Sequence, residues 1–192
     1  MKTVGKIGGH IVALETDDFQ AAVGRGRVFS ACNQTGIATQ AGLSLTEPVL
    51  TLYNPAGSGV KGRLWYAGVT FEVAAAAACV AWVAVGTDVT ANAVTGTAQT
   101  AHRRTRLGST VTQGNVIQAF EVATLPAIPV GIAILGCSTT ANINTVPSIP
   151  TLGRWFKGAI DIMPGTNLSI QTSTASGALA ATCNYIWEEV DL

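Results

Sequence analysis

The sequence predicts an all-β fold: a single jelly-roll or β-sandwich domain of about 8–10 short antiparallel strands, preceded by a short N-terminal arm. Three observations lead there. The closing stretch from Gly158 to Leu192 reads as strand, Pro164-Gly165 turn, strand, polar turn, strand. Runs rich in β-branched and aromatic residues recur along the chain at intervals of about 8–12 residues. Turn-forming clusters separate them: Asn54-Pro-Ala-Gly-Ser-Gly59, Gly86-Thr-Asp88, Gly108-Ser109, Gln113-Gly-Asn115 and Pro164-Gly165.

Residues 1–23 are mixed and show no clean period, so they read as an arm or lead-in segment, with the β domain occupying 24–192. Candidate strands then follow at Arg27–Ala31, Val49–Tyr53, Lys61–Val73, Ala78–Val85, Thr97–Arg106, Val116–Ala123, Val130–Leu135, Phe156–Ile162, Asn167–Gln171 and Leu179–Glu188. The last alternates best. Leu179, Ala181, Cys183, Tyr185 and Trp187 share one face, and Thr182, Asn184 and Glu188 the other. Leu179, Tyr185 and Trp187 are therefore the candidate core of that strand. In Asn167–Gln171, Leu168 and Ile170 point one way and the polar residues the other. The alanine run Ala74–Ala78 competes with this pattern, since alanine favours a helix from Glu72 to Val85; Val80, Trp82, Val83 and Val85 argue for a strand.

Composition points to an assembly. Of 192 residues 48% are hydrophobic and only 11% charged, where a soluble domain carries about 25% charged residues. The mean hydropathy is +0.38. A surface this poor in charge is weakly protected against association. The net charge of zero gives no overall pull toward nucleic acid or anionic lipid. Nothing near Lys2 and Lys6 reads as a signal peptide, and the longest apolar run, Val73–Val85, is short of a membrane span. The expected compartment is the cytoplasm or a particle assembled there. The four cysteines Cys32, Cys79, Cys137 and Cys183 stand far apart among small apolar residues and read as buried free thiols.

Chemical motifs fail on inspection. Gly57-Ser-Gly-Val-Lys-Gly62 has a dinucleotide-loop spacing, but strand-like Leu64-Trp-Tyr follows where a helix N-terminus is needed. No nucleophile elbow is present, and His10 and His102 are the only imidazoles. Glu188 and Glu189 are strand neighbours facing opposite ways, and Asp17-Asp18 reads as a cap or a solvated pair. No catalytic, cofactor or metal site is expected, and so no enzyme. The sequons at Asn33 and Asn167 read as chance matches. His102, Arg104 and Arg106 form the one basic cluster, on one face of a strand; on a neutral chain it reads as a contact for a protein partner rather than nucleic acid. The tryptophans Trp65, Trp82, Trp155 and Trp187 read as core or subunit packing, with a sugar platform as the alternative.

Leu52-Tyr-Asn-Pro-Ala-Gly-Ser-Gly59, and Met163-Pro-Gly-Thr-Asn-Leu-Ser-Ile-Gln-Thr172 with the closing Trp187-Glu-Glu-Val190, resemble small virion proteins of tailed bacteriophages, above all capsid decoration (cement) proteins with a jelly-roll-like domain. The likeness covers about half the chain, in two blocks. It implies a homotrimer on the capsid exterior that bridges neighbouring capsomers of the major capsid protein, with no membrane or nucleic-acid partner. A tail, head-fibre or adaptor component with the same β domain, and a carbohydrate-binding jelly-roll module, are the competing functions.

Overall fold

The structure is a computed structural model that describes residues 3–7, 10–14, 18–46, 48–71, 78–87, 94–103, 115–138, 151–175 and 180–192. Two antiparallel sheets pack face to face around one apolar core, so the fold is an all-β sandwich. A hairpin of β1 (Thr3–Ile7) and β2 (His10–Leu14) forms its own two-stranded sheet. The helix α1 (Asp18–Gly24) follows.

Sheet I is built from β3 (Val28–Cys32), β6 (Val60–Phe71), β9 (His102–Arg103), β12 (Thr151–Ile162) and β14 (Ala180–Asp191), in the spatial order β12-β6-β14-β3-β9. The two-residue β4 (Ile37–Ala38) pairs with the start of β14. Sheet II orders β11 (Val130–Ser138), β7 (Cys79–Thr87), β13 (Thr166–Thr172), β5 (Leu50–Asn54), β10 (Gln118–Thr124) and β8 (Thr95–Gln99) as β11-β7-β13-β5-β10-β8. The chain crosses between the sheets along β4–β5–β6–β7, along β8–β9–β10 and along β11–β12–β13–β14.

Strand alternation explains the core. Leu50 and Leu52, Val83, Leu168 and Ile170 of sheet II meet Leu64, Val69, Phe71, Tyr185 and Trp187 of sheet I. Trp187 stacks on Phe29 with ring centroids 6.0 Å apart. Tyr185 and Trp187 are fully buried, whereas Leu179 lies outside the described residues. Residues 79–87 form strand β7, while 72–77, which hold most of the alanine run, lie outside the described residues. Gly57–Gly62 leads directly into β6, so the loop has no helix behind it to receive a phosphate.

One reading needs correction. Cys79 and Cys183 are buried free thiols, but Cys32 and Cys137 are free and exposed. Small apolar neighbours do not decide burial at these two: Cys32 ends β3 and Cys137 stands on the edge strand β11. Asn167, Ser169 and Gln171 do point away from the core, yet they too are buried. The segment around Ser44 lies over them: Gln171 Nε2 donates to the Ser44 carbonyl at 3.0 Å, and the Ser44 amide donates back to Gln171 Oε1 at 3.2 Å. Within the segment read as an arm or lead-in, α1 is a helix seated on the domain. Ala22 is buried against Val28, Trp65 and Ile186, with Phe19 and Val23 packed beside it.

That helix ends on a Schellman motif. Gly26 N donates to Val23 O at 2.9 Å and Arg27 N to Ala22 O at 3.2 Å. Gly26 takes φ +72°, a left-handed conformation that a side chain disfavours.

Residues 52–59 and 163–172, far apart in sequence, meet in space at Asn54. Its buried Nδ2 donates to Val60 O and to Ile162 O, both at 2.9 Å, and its own carbonyl accepts from Gly165 N at 2.8 Å. Leu192 N donates to Gly59 O at 3.1 Å on the same turn. One side chain thus clamps the β5–β6 and β12–β13 turns together.

Candidate functional site

The predicted basic cluster begins at the far edge of sheet I. His102 and Arg103 form β9, with Ser30↔His102 and Phe29↔Arg103 in register; Arg104 and Arg106 lie outside the described residues. Both predicted sequon asparagines are buried. Asn33 serves the fold instead: Nδ2 donates to Thr35 O and Ala181 O, and Oδ1 accepts from Cys183 N at 2.6 Å. Neither offers a side chain for glycosylation.

Buried ionisable groups sit in the core rather than in a cleft. Burial pushes the Cys183 thiol well above its ordinary range. It does the same to the Tyr185 phenol, with the nearby Cys183 adding to the rise. Glu189 caps the loop before β10: its carboxylate accepts from the amides of Val116 (2.9 Å) and Ile117 (2.8 Å) and from the indole of Trp187 (3.3 Å). Glu188 faces the other way, 3.6 Å from Arg25. Among the described residues no three His, Cys, Asp or Glu side chains converge on a metal position, and no helix is long and apolar enough to cross a membrane.

Two surface features remain. The first is the edge of sheet II. Strand β11 contains no charged residue, and around it Ile128, Val130, Ile132 and Ile134 are 62%, 65%, 45% and 59% exposed. Exposed edge strands are ordinarily guarded by Lys, Pro or bulges. Here Pro129 and two register shifts, at Gly131/Ala133 and Ile134/Gly136, interrupt the ladder. The apolar side chains themselves are left open. The matching edge of sheet I is β12, which abuts β11 where a Cβ at Gly136 would come within 3.0 Å of Leu152.

The second feature is an aromatic cleft of about 410 Å³ on the outer face of sheet I, lined by Asp18, Phe19, Trp65, Trp155 and Lys157. Two backbone irregularities create it. Opposite β14, Ile186 pairs with Tyr66 and Trp187 with Leu64, so Trp65 is an extra residue in β6. That bulge turns both Trp65 and Tyr66 to the outer face, whereas Leu64 and Ala67 face the core. On the other side, Trp155 pairs with Tyr66 and Ile160 with Leu64. Residues 156–159 therefore stand opposite Trp65 alone. Within that excursion Lys157 takes φ +52°, a left-handed conformation rare for a side chain.

Phe19 meets both tryptophans edge to face, and Tyr66 is tilted against Trp155. Phe19 lies 5.1 Å from Trp65 and 5.8 Å from Trp155, and Tyr66 lies 5.1 Å from Trp155. Tyr66 rests over a pair of facing glycines, Gly68 and Gly153, because a Cβ at either would clash with its ring or hydroxyl. Trp65 is 6% exposed and its buried Nε1 has no hydrogen-bond partner, whereas Trp155 is 53% exposed. Sequence reasoning named these tryptophans but had no signal for the bulge that unites them. The spacing of Phe19, Ala22 and Val23 did offer a helical signal, in a segment only seven residues long.

Comparison with known protein families, curated proteins and solved structures returns no match, so what is established about this chain is its all-β sandwich fold and these two surfaces.

Proposed function

We propose that this chain is a structural subunit that works by assembly, and that the body it joins is a phage head. The observation that carries the assembly reading is the uncharged β11 edge with Ile128, Val130, Ile132 and Ile134 in solvent. An exposed apolar strip at a sheet edge marks a protein contact when it is not a folding defect. The overall shortage of charge, 11% of residues, favours the same reading. The register shifts disfavour simple strand addition, so side-chain burial is the contact mode. In a trimer the strip of one copy would bury against its neighbour, and repetition over a shell would multiply weak contacts by avidity. The phage head enters through the sequence likeness alone, which names decoration proteins of tailed phages.

Light scattering with Ile132→Glu/Ile134→Glu beside the parent tests the assembly. The parent should be a trimer at micromolar concentration, and the double variant a monomer that keeps the same β-sheet circular dichroism, since both side chains are exposed on the single chain; its melting temperature should fall only by the share that association adds. A monomeric parent, or an unchanged oligomer in the variant, overturns it. Mass spectrometry of phage heads stripped of tails tests the location. Recovery only with tails would favour the tail-component reading.

A further inference from the structure

We propose that the aromatic cleft between α1, β6 and β12 binds a neutral saccharide. One sugar ring stacks on the exposed indole of Trp155, and its hydroxyls reach Asp18, Lys157 and the Trp65 indole N–H. The proposal is independent of the assembly reading, because the cleft lies on the outer face of sheet I and the apolar strip belongs to sheet II.

The first support is the aromatic surface. Trp155 is held by Phe19 and Tyr66 at its flanks, yet half of it stays in solvent. A tryptophan serving the core alone is covered, as Trp187 is. The second is the backbone. The β6 bulge and the β12 excursion converge on this one cleft, and Lys157 adopts its unfavourable φ on the cleft wall. Bulges and strained residues gather where a side chain must be aimed at a ligand. The third is the Trp65 Nε1, a buried donor without an acceptor on a residue that lines the cleft. Buried indole N–H groups ordinarily find a partner.

The lining decides the class of ligand. A pyranose presents a C–H face to an aromatic ring and hydroxyls at its rim, which can both donate and accept. One carboxylate and one ammonium suit that rim. An anionic ligand would meet Asp18, and a quaternary ammonium would meet Lys157. A nucleotide would bring several phosphate charges to a single lysine. At about 410 Å³ the cleft falls in the range of small-ligand sites, roughly 300–1,000 Å³.

The test uses the full chain with methyl glycosides of glucose, galactose, mannose and N-acetylglucosamine, beside sialic acid and choline as charged controls. Saturation-transfer NMR and tryptophan fluorescence read binding. At least one neutral glycoside should bind, with transfer strongest to its C–H face. Trp155→Ala should weaken it by about tenfold or more at an unchanged melting temperature. Trp155→Phe should retain part of the affinity, and Trp65→Phe, which removes the N–H together with part of the ring, should weaken binding. Absence of binding by every neutral glycoside, preference for sialic acid or choline, or binding indifferent to Trp155→Ala overturns the proposal.

Discussion

Trp187 and Tyr185 stand two residues apart on one face, yet their substitution should have opposite consequences. Trp187 is fully buried, stacked on Phe29, and tied to Glu189. Trp187→Ala should cost about 3–5 kcal/mol in a denaturant melt, from lost burial and the cavity left behind. Tyr185 is equally buried, but its hydroxyl has no hydrogen-bond partner. Tyr185→Phe should leave stability unchanged or raise it, because it removes a desolvated polar group and no bond; a clear loss would reveal a partner for the hydroxyl. Tyr185 and its neighbour Cys183, both buried acids, set an alkaline limit. Cys183 and Tyr185 both have folded pKa values raised above the ordinary 9.0 and 10.0. The unfolded chain ionises first, so their contribution is complete below pH 9 and is lost as pH rises from there toward the raised folded values. The slope should approach 1.4 kcal/mol per pH unit for each group. Cys183→Ala should delay the onset toward the tyrosine range, and an unchanged profile in that variant would refute the assignment.

At the scale of elements, strands were legible and their connections were not. Alternation and turn residues placed the strand cores, because a half-buried pleat writes a period of two into the sequence. The extra residue at Trp65 left no such mark: Leu64-Trp-Tyr-Ala reads as continuous strand text whichever residue is unpaired. Asn54 looked like an ordinary turn former, although its side chain clamps two turns distant in sequence. Asn54→Ala should strand two buried carbonyls and cost about 2–3 kcal/mol, far more than an exposed turn asparagine. The cleft was half legible, since its tryptophans were named while the segment holding the helix that completes it was read only as an arm or lead-in. Truncation separates these parts. Removing residues 1–14 should leave the sandwich melting as before. Removing residues 1–24 takes Phe19 and Ala22 with it, uncovers Val28, Trp65 and Ile186, and should lower the melting temperature. Equal melts for the two truncations would show that α1 adds nothing to the domain.

For the whole molecule, the opposed edges matter most. One flank pairs the apolar β11 with β12; at the other ends of the two sheets stand β8 and the basic β9. Two unlike flanks would suit the head-to-tail contacts of the proposed trimer, which close into a ring. A stable contact of this kind buries roughly 800 Å² on each partner. The strip should therefore be salt-insensitive in its association, because no ion pair lies within it; dissociation of the oligomer at half-molar salt would point to the β9 edge instead.

The position of β14 carries a consequence for how the chain is made. It is synthesised after β3 and β6, yet it lies between them, with Asn184–Glu188 paired to Cys32–Val28 on one side and Ala181–Asp191 paired to Phe71–Val60 on the other. Contacts closing over some 150 residues, such as Cys183 N to Asn33 Oδ1, form slowly. Until β14 emerges from the ribosome, β3 and β6 each present an open ladder to whatever strand is nearby. The nascent chain is thus a half-built sheet with a vacant central slot, a template for mispairing with its own siblings on one messenger. Ribosome-stalled chains ending before residue 180 should bind holdase chaperones and co-aggregate, and release of chains that include β14 should end both behaviours within one folding time.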